Sequence, residues 1–172
     1  MARSNRSTLD IGLLALRVGV GGTLFAHGAQ KLFGWFGGHG LDATAEAFDS
    51  MGFTPGKQSA LVAGISEAGG ALILLGAATP LAAAGAAGAM VGASAVHKSA
   101  GFFSTAGGYE FPATLGIAAV ALTLTGPGRY SIDAMLGNKL NTSRIAIISL
   151  LGTSVGAGLA ISRRARALDR HD

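Results

Sequence analysis

Five apolar runs, separated by short polar or glycine-rich stretches, organise the chain. The first, Ile11 to Phe33, reaches roughly 34 Å as a helix at about 1.5 Å per residue, enough to cross a bilayer. The second runs from Gln58 to Ala78 and stops at Thr79-Pro80, because the residue before a proline avoids helical backbone. The third, Leu81 to His97, is nearly all small residues, which suits burial between helices better than contact with lipid. Phe111 to Thr125 is the fourth, ended by Gly126-Pro127-Gly128. The fifth, Ile145 to Ile161, is at the short limit for a span and either crosses or lies tilted against the others. This pattern predicts an all-α fold, a transmembrane four-helix bundle with a fifth C-terminal membrane segment beside it.

The connections carry their own pattern. After the first run comes GWFGGHG, Gly34 to Gly40, and then LDATAEAFDSM, Leu41 to Met51. Leu41, Ala45, Phe48 and Met51 share one helical face there, with Asp42, Glu46 and Asp49 on another. A short interfacial amphipathic helix is expected, with Trp35 and Phe36 in the aromatic belt. Lys98 to Glu110 and Arg129 to Arg144 read as polar connections. The N-terminus imitates a signal peptide, but its apolar run continues to Phe33, holds Arg17 and lacks a clear cleavage site, so it reads as a retained helix.

Composition strengthens the membrane assignment. Charged residues make up 13% of the chain, about half the usual share of a soluble domain, and hydrophobic residues 49%. The net charge of +4 comes from basic residues near the two ends, without the aromatic interleaving of a nucleic-acid surface. Such clusters suit the membrane surface, so the expected partners are the lipid bilayer and other proteins, either in a complex or as a homo-oligomer, with no nucleic acid. The chain has no cysteine, which excludes dithiol chemistry and thiolate-bound clusters. With four crossings, Arg3, Arg6, Arg129, Lys139 and Arg144 lie on the N-terminal side, against Lys31, Lys57 and Lys98 opposite. That favours a cytoplasmic N-terminus; a crossing fifth segment reverses the balance by moving Arg163, Arg164, Arg166 and Arg170 across.

One acid stands out. Glu67 is the only carboxylate between Asp49 and Glu110 and lies inside QSALVAGISEAGGALI. An ionisable group at that depth costs at least ~2.5 kcal/mol, so it has a partner or a job. On the first helix Arg17, His27 and Lys31 fall within an arc of about 80° and face the same way. Glu67 is within reach of either end of that face. His97, Tyr109 and Glu110 would form a polar cap on the leaflet of His27 and Lys31, with Glu67 beneath. Each has a plainer reading. Arg17 and Lys31 can snorkel to the headgroups, His27 can hold a backbone carbonyl, His97 can anchor at the interface, and Glu67 can be a structural ion-pair partner. No spacing diagnostic of a metal site is present, and no P-loop.

The stretch LRVGVGGTLFAHGAQKLFGWFGGHGL, Leu16 to Leu41, resembles the DoxX family of bacterial integral membrane proteins. The resemblance continues through Glu67-Ala68-Gly69-Gly70, His97, Gly101-Phe102-Phe103, Gly107 to Pro112, and Gly126 to Asp133. It implies a four-helix transmembrane bundle over 11–136, after a polar segment over 1–10, with residues 137–172 outside the pattern. Motif positions fall on Arg17, His27, Lys31, Glu67, His97, Glu110 and Asp133. Relatives include the small subunit of thiosulfate:quinone oxidoreductase and proteins linked to oxidative-stress defence.

The resemblance and the polar constellation together lead to a redox-linked subunit of the bacterial plasma membrane. A quinone is the expected cofactor and none is covalent. His27 and Glu67 would handle its protons, and Arg17, Lys31, His97, Tyr109 and Glu110 would surround its head. The alternatives are a non-catalytic accessory or assembly subunit, in which the polar set holds the bundle, and a proton-coupled solute pathway.

Overall fold

A computed structural model describes the backbone of residues 2–170 and the side chains of residues 6–170. Arg3, counted among the N-terminal cations, has its side chain outside the described residues, as do His171 and Asp172 at the end of the tail. The described residues form eight α-helices and two short 3-10 turns, with no strand among them. Helix α1 (Ala2–Phe33) begins well before the apolar run, so most of the expected polar N-terminal segment is already helical. Amphipathic α2 (Gly40–Ser50) follows the Gly34–Gly38 loop.

The second apolar run is two helices, α3 (Gly56–Ala68) and α4 (Gly70–Leu75), broken at Gly69. A left-handed turn leads to α5 (Thr79–His97), with Pro80 in its first turn, where a missing N–H costs nothing. Two 3-10 turns, Lys98–Ala100 and Ser104–Ala106, join α5 to α6 (Glu110–Thr125). A single-turn helix, α7 (Ile132–Met135), precedes α8 (Ser143–Leu168).

Four segments are long and apolar enough to cross a membrane: Arg6–Phe33, Gly56–Leu75, Thr79–Ala100 and Ser143–Leu168. Helix α6 is shorter. The fifth apolar run, the weakest by length alone, is thus a helix of 26 residues. The Thr142 hydroxyl caps its start by accepting from the Ile145 N–H, and its arginines extend it past Ile161. It runs the height of the bundle: Asn141, just before it, lies against Gly126, while Leu168 at its other end lies against Gly52.

The core lies between α1, α4, α5 and α6, where Leu24, Ile73, Ala83, Ala86, Ala119 and Leu122 are fully buried. Outward faces are apolar too: Val62, Ile65, Ile117 and Ile148 are all more than 60% exposed. Water would penalise that surface and hydrocarbon would not, so the bundle belongs in a bilayer. Close helix approach depends on small residues. A Cβ on Gly21 would meet the backbone of α4 at Gly70 and Leu74, and one on Gly28 would meet Ala68.

Candidate functional site

The contact of α1 with α3 builds the central polar pair. Gly28 lies against Ala68, and four residues further on Leu32 fills the space beside Gly64. Lys31, in the last turn of α1, is thereby brought to Glu67, in the last turn of α3. The Lys31 Nζ donates to Glu67 Oε2 at 2.6 Å. The Glu67 side chain is 5% exposed and the Lys31 side chain 25%. The pair is therefore closed on the acid side and partly open on the amine side. His27, one turn before Lys31 on α1, turns its ring to Phe111, with centroids 5.8 Å apart.

Arg17 is elsewhere. The fourteen residues separating it from Lys31 put it about 21 Å away along α1. Its guanidinium is buried and held by four main-chain oxygens: Nε donates to Ile73 O at 3.1 Å and Nη2 to Leu74 O at 3.1 Å. Nη1 donates to Pro127 O at 2.6 Å and to Tyr130 O at 2.9 Å. Arg17 thus neither snorkels nor meets Glu67. It closes the C-terminal end of α4, where carbonyls lack helical partners, and ties it to the loop after α6.

Asp133 does the complementary work at the start of α5. Its carboxylate accepts from the Ala78 N–H at 2.8 Å and the Thr79 N–H at 2.9 Å. Ala78 has φ 46°, a conformation that costs a non-glycine residue free energy and is held by this cap. The Asp133 N–H in turn donates to Gly76 O at 2.8 Å. Arg17 and Asp133 together form a clasp around the α4–α5 turn, a cation at one helix end and an anion at the other.

The predicted polar cap is knitted from within its own loop. The His97 Nδ1–H donates to Gly107 O at 2.8 Å, and Glu110 Oε2 accepts from the Ser104 N–H at 3.0 Å. Tyr109 stands edge-on to Phe102, with centroids 5.5 Å apart. The Tyr109 and Glu110 N–H groups donate to Gly101 O and Phe102 O. The structure therefore joins Lys31 to Glu67, sets His27 one turn below, and puts His97, Tyr109 and Glu110 in a self-bonded loop at that end of the bundle. It sends Arg17 to the other end.

Sequence reasoning missed the capping role of Asp133, whose partners lie more than fifty residues away and leave no local signal. It also missed Arg164, whose Nε donates to Met51 O at 2.9 Å and whose guanidinium lies over the Phe53 ring. Among the described residues no three His, Cys, Asp or Glu side chains are grouped to hold a metal ion. A cleft of about 420 Å³ lies between α5, α6 and α8, lined by none of the predicted site residues.

Among protein families, the DoxX model matches residues 12–99, a stretch from the start of the first apolar run to just past the end of α5. The match takes in Arg17, His27, Lys31, Glu67 and His97 and stops before Tyr109, Glu110 and Asp133. No curated protein and no solved structure matches the chain.

Proposed function

The chain belongs to the DoxX family, and from that premise we propose that it is a redox-linked subunit of the bacterial plasma membrane, with a quinone head group received at Lys31, Glu67 and His27. The observation that carries this reading is the Lys31–Glu67 pair: a carboxylate buried in an apolar bundle whose cation remains a quarter exposed. A neutral pair of this kind tolerates a bilayer better than a lone charge, and when Glu67 takes up a proton from the aqueous side the Lys31 ammonium is left unpaired to face an anionic quinone head. Reduction of a quinone to a quinol takes up two electrons and two protons. The electrons come from a partner protein, since a cysteine-free chain supplies no thiol couple. Glu67 and His27 serve the protons, and the Lys31 ammonium stabilises negative charge on the reduced head. The loop bearing His97, Tyr109 and Glu110 lies at the same end of the bundle.

Glu67→Gln tests the reading, because it keeps the shape and removes the titratable group. Quinone reduction by the assembled complex is expected to fall about 100-fold or more while the protein still inserts and assembles. Activity within twofold of the native level, in a protein that still binds its partners, would sink the proposal.

A second reading, an accessory or assembly subunit, draws support from the clasp. Arg17, within the family match, and Asp133, beyond it, are occupied by backbone and hold helices together. On that reading Glu67→Gln loses the complex or the fold instead of the reaction.

A further inference from the structure

The cleft between α5, α6 and α8 lies within the depth of the bundle. Helix α8 packs against α5 where Gly88 meets the Thr153 methyl. Beside that contact α8 leaves a space of about 420 Å³ between itself, α5 and α6. Its walls are methyl and methylene groups of Met90, Val120 and Leu150, with small residues such as Ala113, Gly116 and Ala157 setting its width. Val91 and Ile117 form its rim, 48% and 72% exposed, so it opens sideways from the bundle. A space of this size is within the range of ligand sites, and an apolar one takes apolar matter rather than water.

Charge decides which hydrocarbon fits. Ser94 marks the end of the cleft toward the α5–α6 loop, and Lys98 follows it by one turn. Lys98 keeps helical backbone, with φ −56° and ψ −38°, so it continues the α5 stripe that lines the cleft. Lys98 is exposed, and among the described residues neither of the two ion pairs uses it. Arg164, on the corresponding stripe of α8, is already committed to Met51 and Phe53. One exposed cation thus stands above an apolar slot that opens to the bilayer.

We propose that the α5–α6–α8 cleft seats one acyl chain of an anionic phospholipid whose headgroup is held by Lys98. The site is separate from Lys31 and Glu67 and needs no quinone chemistry. The lipid fills the gap that α8 leaves and thereby fastens α8 to the bundle.

The test is native mass spectrometry of the protein released from nanodiscs of equal parts phosphatidylglycerol and phosphatidylcholine. One phosphatidylglycerol per chain is expected to survive release, in preference to phosphatidylcholine. Ala157→Leu and Ala113→Leu fill the slot and are each expected to cut retention about tenfold. Lys98→Ala is expected to keep a bound lipid while bringing the two headgroups to near equality. Retention unchanged in both filled variants overturns the proposal, as does release of a neutral isoprenoid lipid or a second protein chain as the bound species. Should the filled variants not fold, the exposed Lys98→Ala decides alone: an unchanged headgroup preference overturns the assignment.

Discussion

Four carbonyl oxygens from two separate stretches of chain converge on the single guanidinium of Arg17. The planar fork with its several donors makes that possible; an ammonium has three protons on one point and cannot span the same set. Arg17→Lys is therefore expected to behave almost as badly as Arg17→Leu. Each should cost about 2–4 kcal/mol, read as a fall in the unfolding midpoint in mild detergent. A change of under a degree in both variants would show that the bonds contribute little. The sequence made Glu67 legible, because an acid in an apolar run is an anomaly in one dimension. Its partner was less so. Arg17, His27 and Lys31 share an arc of the helix, but an arc does not tell height, and height selected Lys31.

At the scale of the element, hydropathy gave the helices and packing gave their limits. All five apolar runs are helical. The second is divided at Gly69, and Gly70 just beyond it lies against Gly21 on α1. Helix α8 was undervalued because an apolar count stops at Ile161, whereas arginine is a good helix former and the helix continues to Leu168. The crossing of α1 and α3 depends on Gly28, where any side chain would strike the backbone at Ala68. Gly28→Leu is expected to force the two helices apart, at a cost of about 1–3 kcal/mol, and to pull Lys31 from Glu67. A double-mutant cycle reads this directly: the Lys31–Glu67 coupling should vanish in the Gly28→Leu background and persist in the native one.

For the whole molecule the path of α8 sets the balance of charge. Because α8 ends beside Gly52 and Met51, Arg163, Arg164, Arg166 and Arg170 join Lys31, Lys57 and Lys98 at one end. The other end holds Arg6, Arg129, Lys139 and Arg144, with Arg3 from the sequence. The cation excess thus lies at the end of the α5–α6 loop, and the rule for short loops predicts that end to be the cytoplasmic one. That expectation is opposite to the one four crossings alone favour. The cysteine-free chain makes the measurement clean. A membrane-impermeant maleimide applied to spheroplasts should label Ser7→Cys and spare Ala165→Cys. The opposite pattern would fix the N-terminus inside.

The clasp also constrains the order in which the protein can be made. Arg17 emerges from the ribosome early, in the first helix, while two of its oxygens belong to Pro127 and Tyr130, more than a hundred residues later. During that interval the first helix carries a cation with half of its carbonyl partners not yet synthesised, in a hydrocarbon core that offers no substitute for them. Helix α1 is therefore expected to reach its final depth only once those carbonyls are in place. Arg17 is expected to stay near the headgroups until α6 and the loop behind it arrive, so α1 precedes these partners in translation and is locked in place only after them.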